Sequence, residues 1–312
     1  MLVHMPHVKE VGLHYRQQIE ANIQESLTRT GGGVVLFVGA GLSKRYLNLP
    51  NWKELIEEML LLIEHDMPLD YYMQLTDKTF LDDDLVEVAE HVAELVHKWA
   101  WKKRAELDFP ESYYHQDLPH TIFFKHLVSG IIRRRTVFSS EFEDEIKKLK
   151  AIRTNLIVTT NYDAFLENLF GFEVNVGKKI SGAPDKQRVF KVHGCQEEPE
   201  SIIILPSDYE KFSINHKYVF SKLLVHFVED TCLFLGYSLS DPHMQELIFD
   251  ASEASGKQVL GNVFLVDYGD EPRELQSDAH FELMRDRRLA KINTIKTTEF
   301  DWIYNIFADG EA

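Results

Sequence analysis

Polar side chains that could perform chemistry follow two apolar segments of the chain. Asn161 and Asp163 come just after the segment 155–159, and His193 comes directly after the segment 188–192. A histidine can accept a proton near neutral pH, and a carboxamide and a carboxylate can orient a polar ligand. Helix capping explains Asn161 or Asp163 taken alone, and a structural hydrogen bond explains a lone histidine. Their shared position after apolar segments favours a reactive site.

Two turns rich in small residues follow two further apolar segments, 34–38 and 231–235. Their small residues are Gly39, Ala40, Gly41, Ser43, Gly236 and Ser238. Small residues let backbone N–H groups approach a diphosphate closely, although a tight turn needs glycine for steric reasons about as often. Thr160 and Asp267 also follow apolar segments. Together these segment ends predict a nucleotide site.

The apolar segments themselves predict a parallel sheet covered by helices on both faces. We expect strands over 34–38, 155–159, 188–192, 201–204, 231–235 and 263–266, with 263–266 the last. We expect helices over 8–30, 51–64, 216–229 and 242–253, with a loop from Ser43 to Pro50. Apolar strands that alternate with helices are typical of a doubly wound α/β fold, in which ligands bind beyond the carboxyl ends of the strands.

Residues 67–150 show helical periodicity throughout and therefore predict an insertion. The expected organisation is a Rossmann-like domain, 1–66 and 151–312, with a helical subdomain, 67–150, inserted after the first strand and helix. The start of the chain has no secretory signal, and no segment approaches the ~18 apolar residues of a membrane span, so a soluble cytoplasmic protein is expected.

Charge and cysteine content argue against two classes of protein. The chain has 50 acidic and 34 basic residues, a net charge of −16, which disfavours a surface that binds nucleic acid. The basic segments 97–104 and 133–135 are explained by the preference for cations at the C-terminal ends of helices. They are the only feature that supports nucleic-acid processing as an alternative function. With Cys195 and Cys232 as its two cysteines, the chain has no four-cysteine zinc site.

Four short motifs, taken in order, resemble the signature series of the sirtuin family. They are GAGLS at 39–43, TTNYD at 159–163, VHG at 192–194 and GYSLSD at 236–241. Together with the loop 49–52, they look like the bacterial sirtuin-like NAD hydrolases of antiphage defence. The zinc ribbon that sirtuin deacylases carry between their HG and GTS motifs is missing. The acidic-aromatic-arginine loop is also replaced, by residues 44–52.

The resemblance implies a role for each matching residue. It implies that Asn161, Asp163 and His193 are catalytic, and that the residues which bind NAD are Gly39, Ala40, Gly41, Ser43, Thr160, Gly236, Ser238 and Asp267. NAD would be the substrate, nicotinamide and ADP-ribose the products, with a cyclic product as an alternative. Neither zinc nor another metal is expected.

The same resemblance leaves other functions and partners to consider. NAD-dependent protein modification, by deacylation or ADP-ribosyl transfer, would use the same site. A nucleotide-sensing module in a complex that processes nucleic acid is a non-enzymatic alternative. Within the family, compact chains of this kind are associated with large homo-oligomers and with a HerA-type ATPase partner, and both are expectations here.

Overall fold

An eight-stranded sheet forms the centre of the protein. The computed structural model describes residues 8–31, 33–74, 83–115, 118–137, 139–177, 186–215, 217–239, 241–269, 280–285 and 287–308. The strands are Val34–Val38 (β1), Thr154–Thr159 (β2), Glu173–Val176 (β3), Arg188–Lys191 (β4), Thr231–Leu235 (β5), Val259–Tyr268 (β6), His280–Arg285 (β7) and Arg288–Thr297 (β8). Their order is β3-β4-β2-β1-β5-β6-β8-β7, and every neighbouring pair is parallel except β7 with β8.

Helices connect the strands and cover the sheet. They are Val8–Thr30 (α1), Ala40–Leu47 (α2), Trp52–Leu62 (α3), Leu69–Met73 (α4), Asp83–Lys102 (α5), Ile122–Arg135 (α6), Glu143–Ala151 (α7), Phe165–Phe170 (α8), Pro206–Asn215 (α9), Lys217–Glu229 (α10), Pro242–Ser255 (α11) and Asp301–Ala308 (α12). This arrangement confirms the predicted doubly wound α/β fold. No described helix combines the length and apolar character needed to cross a membrane.

Strand β1 is buried on both faces, which explains its unbroken apolar sequence. Val34, Leu36 and Val38 belong to the hydrophobic cluster on one face of the sheet. Val35 and Phe37 belong to the cluster on the other face. A central parallel strand has no side that faces solvent, so the alternation typical of half-exposed strands is absent. The packed strand fixes the position of the turn that follows it.

The prediction of a strand over 201–204 is wrong. Residues Pro199–Ser201 form a 3₁₀ helix, and the three isoleucines that follow are buried outside the sheet. The N–H of Ile203 donates to the carbonyl oxygen of His193 at 2.8 Å, an isolated contact and not part of a ladder. Burial of the side chains, without strand pairing, therefore accounts for this apolar run.

The sheet also continues beyond the strand predicted to be its last. β6 is longer than the expected 263–266, β8 pairs with it in parallel, and β7 completes that edge in the antiparallel direction. At the other edge, β3 pairs with β4. These three additional strands, of which β3 and β7 are the edges of the sheet, carry charged residues among the apolar ones. They therefore lack the unbroken apolar signal that identified the central strands.

The segment expected to be a loop after β1 is helical. Helix α2 begins at Ala40, with Gly39 in an extended conformation at its N-cap and Asn48 in a left-handed conformation at its C-cap. The described part of 67–150 contains helices and no strand, in agreement with the helical pattern. The division of the chain into a Rossmann-like domain and an inserted helical subdomain stays a prediction.

Candidate functional site

The two glycine turns pack against each other at the carboxyl ends of β1 and β5. The N–H of Gly39 donates to the carbonyl oxygen of Leu235 at 3.0 Å, and that of Gly41 donates to Gly236 at 2.9 Å. A Cβ on Gly236, whose φ is +60°, would lie 2.2 Å from the backbone nitrogen of Leu42. Close backbone packing therefore requires these glycines, and the two N–H groups are already used within the protein.

Asn161, Ser43 and Asp163 form a buried hydrogen-bonded network between the ends of β1 and β2. The Asn161 Nδ2 donates to the Ser43 Oγ at 2.7 Å and to the carbonyl oxygen of Gly39 at 2.9 Å. The Ser43 hydroxyl in turn donates to Asp163 Oδ2 at 2.7 Å. Asp163 Oδ1 accepts the N–H of Phe165 at 3.0 Å. The network fixes the positions of the carboxamide and the carboxylate.

A buried lysine binds the backbone of the loop that follows β2 and carries Asn161 and Asp163. Lys191, at the end of β4, has no exposed surface, and its Nζ lies 2.8 Å from Glu167 Oε1. The same ammonium donates to the carbonyl oxygens of Tyr162, at 3.3 Å, and of Asp163. Burial raises the pKa of Glu167, and Lys191 opposes that shift. One ammonium thus ties β4 to the loop that carries Asn161.

His193 pairs with a carboxylate from a distant part of the sequence. Its Nε2 lies 3.2 Å from Asp241 Oδ2, and both side chains are almost fully buried. Asp241 is the N-cap of α11, where its Oδ1 accepts the N–H of His243 at 2.9 Å and lies 3.5 Å from His243 Nδ1. Burial alone raises the pKa of Asp241, but His193 and His243 outweigh it and hold that pKa well below its ordinary value. The carboxylate is therefore ionised beside His193.

The segment that carries Asp241 crosses the carboxyl edge of the sheet. It leaves β5, and β1 and β2 lie between β5 and β4. Because Asp241 lies beside His193, the segment must pass the ends of both intervening strands. Tyr237 lies on this path, where a Cβ on Gly39 would lie 2.9 Å from its Cα. Burial, and to a smaller extent the charge of Asp241, raises the pKa of Tyr237 well above its ordinary value. The polar side chain of Thr160 partly opposes that shift.

The predicted site residues thus fall into two groups. One group is brought together at the ends of β1, β2, β4 and β5 and consists of Gly39, Gly41, Ser43, Thr160, Asn161, Asp163, His193 and Gly236. The other group lies on the surface of that edge: Ala40 at the start of α2, Ser238 in the crossing segment and Asp267 in β6, all exposed. Asp267 is one strand farther from the network than Gly236.

The sequence patterns assign no role to three residues that contact this site. Asp241 precedes a proline that begins a helix. From sequence, this pattern predicts a helix N-cap but no contact with the site. Lys191 is a single charge within an apolar strand, a pattern that indicates a buried ion pair. Tyr237 lies inside a glycine turn and carries no chemical signal of its own. Only the fold brings these side chains to the others.

His193, Asp241 and His243 also form a candidate set of metal ligands. One ligand atom from each lies within 4.8 Å of the others. Two imidazoles and one carboxylate suit a divalent transition metal. The expectation that the chain binds no metal rested on its cysteine content, whereas these three residues come from two separate turns.

Part of the chain is similar to a known family of domains. Residues 155–292, which contain Asn161, His193 and Asp241, match the family model of the SIR2-like domain. This part of the chain is therefore similar to a SIR2-like domain. The NAD(+) hydrolase ThsA of Bacillus cereus (strain MSX-D12) is 26% identical over 136 residues, which are 41% of this chain and 29% of that protein.

A second relative extends the similarity along the chain. The NAD(+) hydrolase ThsA of Acinetobacter baumannii (strain 532279) is 23% identical over 272 residues, which are 82% of this chain and 47% of that protein. The chain therefore spans less than half the length of the curated relatives it matches. The similarity supports a sirtuin-like function related to NAD.

Proposed function

We propose that this protein is an NAD hydrolase that cleaves the bond between nicotinamide and ribose. The main support is the Asn161–Ser43–Asp163 network, which lies at the same edge of the sheet as the His193–Asp241 pair. The names of the two relatives add independent support. Exposed Ala40, Ser238 and Asp267 are proposed to contact the NAD molecule at the surface of this edge.

The proposed reaction needs little acid catalysis because nicotinamide leaves NAD as a neutral molecule. The C1′–N bond breaks, its electron pair leaves with nicotinamide, and the ribose acquires oxocarbenium character. Asp163, which Ser43 and Phe165 hold in place, orders the nicotinamide-ribose pocket, and Asn161 positions the ribose or the water. The water oxygen bonds to C1′, and its proton goes to His193. The products are nicotinamide and ADP-ribose.

Asp241 is proposed as a positioning residue for His193. A carboxylate 3.2 Å from the imidazole fixes its orientation and stabilises the imidazolium that forms when the proton is accepted. A hydrogen bond to a charged group contributes about 1.5–3 kcal/mol, so Asp241→Asn should lower kcat about 10- to 100-fold. KM for NAD should change much less than kcat in this variant, because the carboxylate acts on the base and not on the bound substrate. A fall in kcat that circular dichroism traces to loss of folded protein would assign Asp241 a structural role only.

Purified wild-type protein with NAD tests the proposed reaction directly. Chromatography should detect nicotinamide and ADP-ribose in equal amounts, and water labelled with ¹⁸O should place one labelled oxygen in ADP-ribose. The rate should be the same with EDTA, since in this proposal His193 accepts a proton and binds no metal. Loss of activity with EDTA, restored by one divalent metal, would instead assign the His193, Asp241 and His243 cluster to metal binding. NAD binding without products would contradict hydrolysis by the isolated chain.

The cellular role follows from the same reaction. Depletion of NAD would stop a phage infection, so we propose an antiphage role in the cytoplasm. The helical subdomain 67–150 is proposed as the surface for homo-oligomers and for a HerA-type ATPase partner. Size-exclusion chromatography with light scattering, with and without the partner, measures both assemblies.

A further inference from the structure

A cavity lies at the opposite end of the sheet from the candidate site. It has a volume of about 990 Å³, which is large enough for a small-molecule ligand. Val34, Thr154 and Arg188 line it, and each is the first residue of its strand, β1, β2 or β4. The residues proposed to cleave NAD follow the other ends of these strands. The cavity is therefore separate from the NAD site.

Cationic side chains dominate the charge of this cavity. The lysines and arginines that line it are Lys150, Arg153, Lys186, Arg188 and Lys222. The carboxylate among the lining residues, Asp230, pairs with His226 at 2.6 Å. Lys186 forms an ion pair with Glu173, with 3.6 Å between Lys186 Nζ and Glu173 Oε2. In a chain with a net charge of −16, such a concentration of positive charge favours an anionic ligand, and most strongly one with several phosphates.

Aromatic side chains form another wall of the same cavity. Phe170 and Phe172 are half-buried with their ring centroids 5.2 Å apart, and the buried Phe190 also lines the cavity. Rings in such a position offer a surface on which a planar base can stack or pack edge-on. Inorganic phosphate would leave this wall unused. A nucleotide would use both the aromatic wall and the cationic side chains.

Asn175 provides an independent sign of a missing partner. The residue lines the cavity and is 8% exposed, and its Oδ1 is buried without a hydrogen-bond partner. Its Nδ2 donates to the carbonyl oxygen of Val174 at 3.3 Å, so the Oδ1 is the atom left to accept. A buried acceptor without a partner costs about 1–3 kcal/mol. An N–H donor on a ligand, such as the exocyclic amine of a base, would remove that cost.

We propose that this cavity is a nucleotide-binding site distinct from the edge that cleaves NAD. The phosphates contact the lysines and arginines, the base packs on Phe170 and Phe172, and Asn175 accepts a hydrogen bond from the base. ATP without magnesium is a suitable probe because it combines three phosphates with a base that carries an amine. The proposal does not depend on the activity of the NAD site.

Isothermal titration calorimetry with ATP in about 0.15 M salt, which screens weak surface attraction, tests this site. Wild-type protein should bind one ATP per chain, and Lys150→Glu/Lys222→Glu should weaken binding at least about tenfold, because two charge-assisted hydrogen bonds are lost. The charge-matched control Lys53→Glu/Lys98→Glu changes two exposed lysines on α3 and α5 and should bind like wild type. Circular dichroism checks that each variant is folded.

Two comparisons distinguish a nucleotide site from a site that binds phosphate groups alone. Phe172→Ala should weaken the binding of ATP but leave that of inorganic triphosphate unchanged, and wild type should bind triphosphate more weakly than ATP. Equal affinity for ATP and triphosphate would overturn the nucleotide assignment. The site itself would be overturned if ATP showed no saturable binding up to ~1 mM, a dissociation constant that corresponds to a binding free energy of about −4 kcal/mol. Equal losses of affinity in both charge-matched variants would also overturn it. So would competition between NAD and ATP for the same site.

Discussion

Replacing His193 by alanine is expected to lower kcat for NAD cleavage by about 10²–10⁴-fold, the usual contribution of a positioned general base. The imidazole is buried at the end of β4, and its Nε2 pairs with Asp241 at 3.2 Å. Its proposed task is to accept a proton in the reaction, so the affinity for NAD should change much less than kcat. Initial rates together with calorimetric titration of NAD measure the two effects separately.

Matched variants distinguish loss of the base from loss of the fold. His193→Gln keeps a side-chain N–H that can donate to Asp241 but cannot accept a proton, so it should be as inactive as His193→Ala and more stable. His91→Ala removes an exposed histidine of α5 and should retain full activity. A His193→Gln variant that cleaves NAD at the wild-type rate would contradict the assignment of His193 as the base.

The sequence predicts the central sheet well because burial on both faces leaves a strong signal. β1 and β5 consist of apolar residues, apart from the initial Thr231, and their predicted bounds are confirmed. The same signal fails for the three isoleucines after Ser201, which are buried without strand pairing. It also fails for β3, β7 and β8, because charged residues interrupt their apolar sequences.

The candidate site is predictable only where its residues directly follow a strand. Asn161, Asp163 and His193 do so, and the fold of the sheet brings their strand ends together. Asp241 reaches His193 only because a segment crosses the ends of β1 and β2, which no local pattern reveals. The glycine turns illustrate the reverse case. The N–H groups of Gly39 and Gly41 are predicted to approach a diphosphate but bond to backbone oxygens.

Replacing Lys191 by methionine should lower the free energy of unfolding by roughly 3–5 kcal/mol, the usual cost of breaking a buried ion pair from one side. The ammonium has no exposed surface, lies 2.8 Å from Glu167 Oε1 and donates to the carbonyl oxygens of Tyr162 and Asp163. Methionine keeps much of the side-chain volume but leaves Glu167 and both carbonyl groups without this donor. Urea denaturation followed by circular dichroism measures the loss.

The double variant Lys191→Met/Glu167→Leu separates the buried charge from the position of the loop. Replacing both partners of a buried pair by apolar residues is often neutral for stability, so most of the loss should be recovered. Activity on NAD should remain low, because the carbonyl groups beside Asn161 still lack the ammonium that held them. A Lys191→Met variant within about 1 kcal/mol of wild type would mean that the ion pair contributes little to stability.

The cost of Lys191→Met should also depend on pH, and its sign follows from Glu167. Burial raises the pKa of this carboxyl, and in wild type the charge and hydrogen bond of Lys191 oppose that shift. Without the lysine, the pKa of Glu167 in the folded protein should rise further above its value in the unfolded chain. The folded variant then binds this proton more tightly, so its stability falls as pH rises through that pKa. The difference from wild type should therefore be smaller at about pH 5 than at about pH 8.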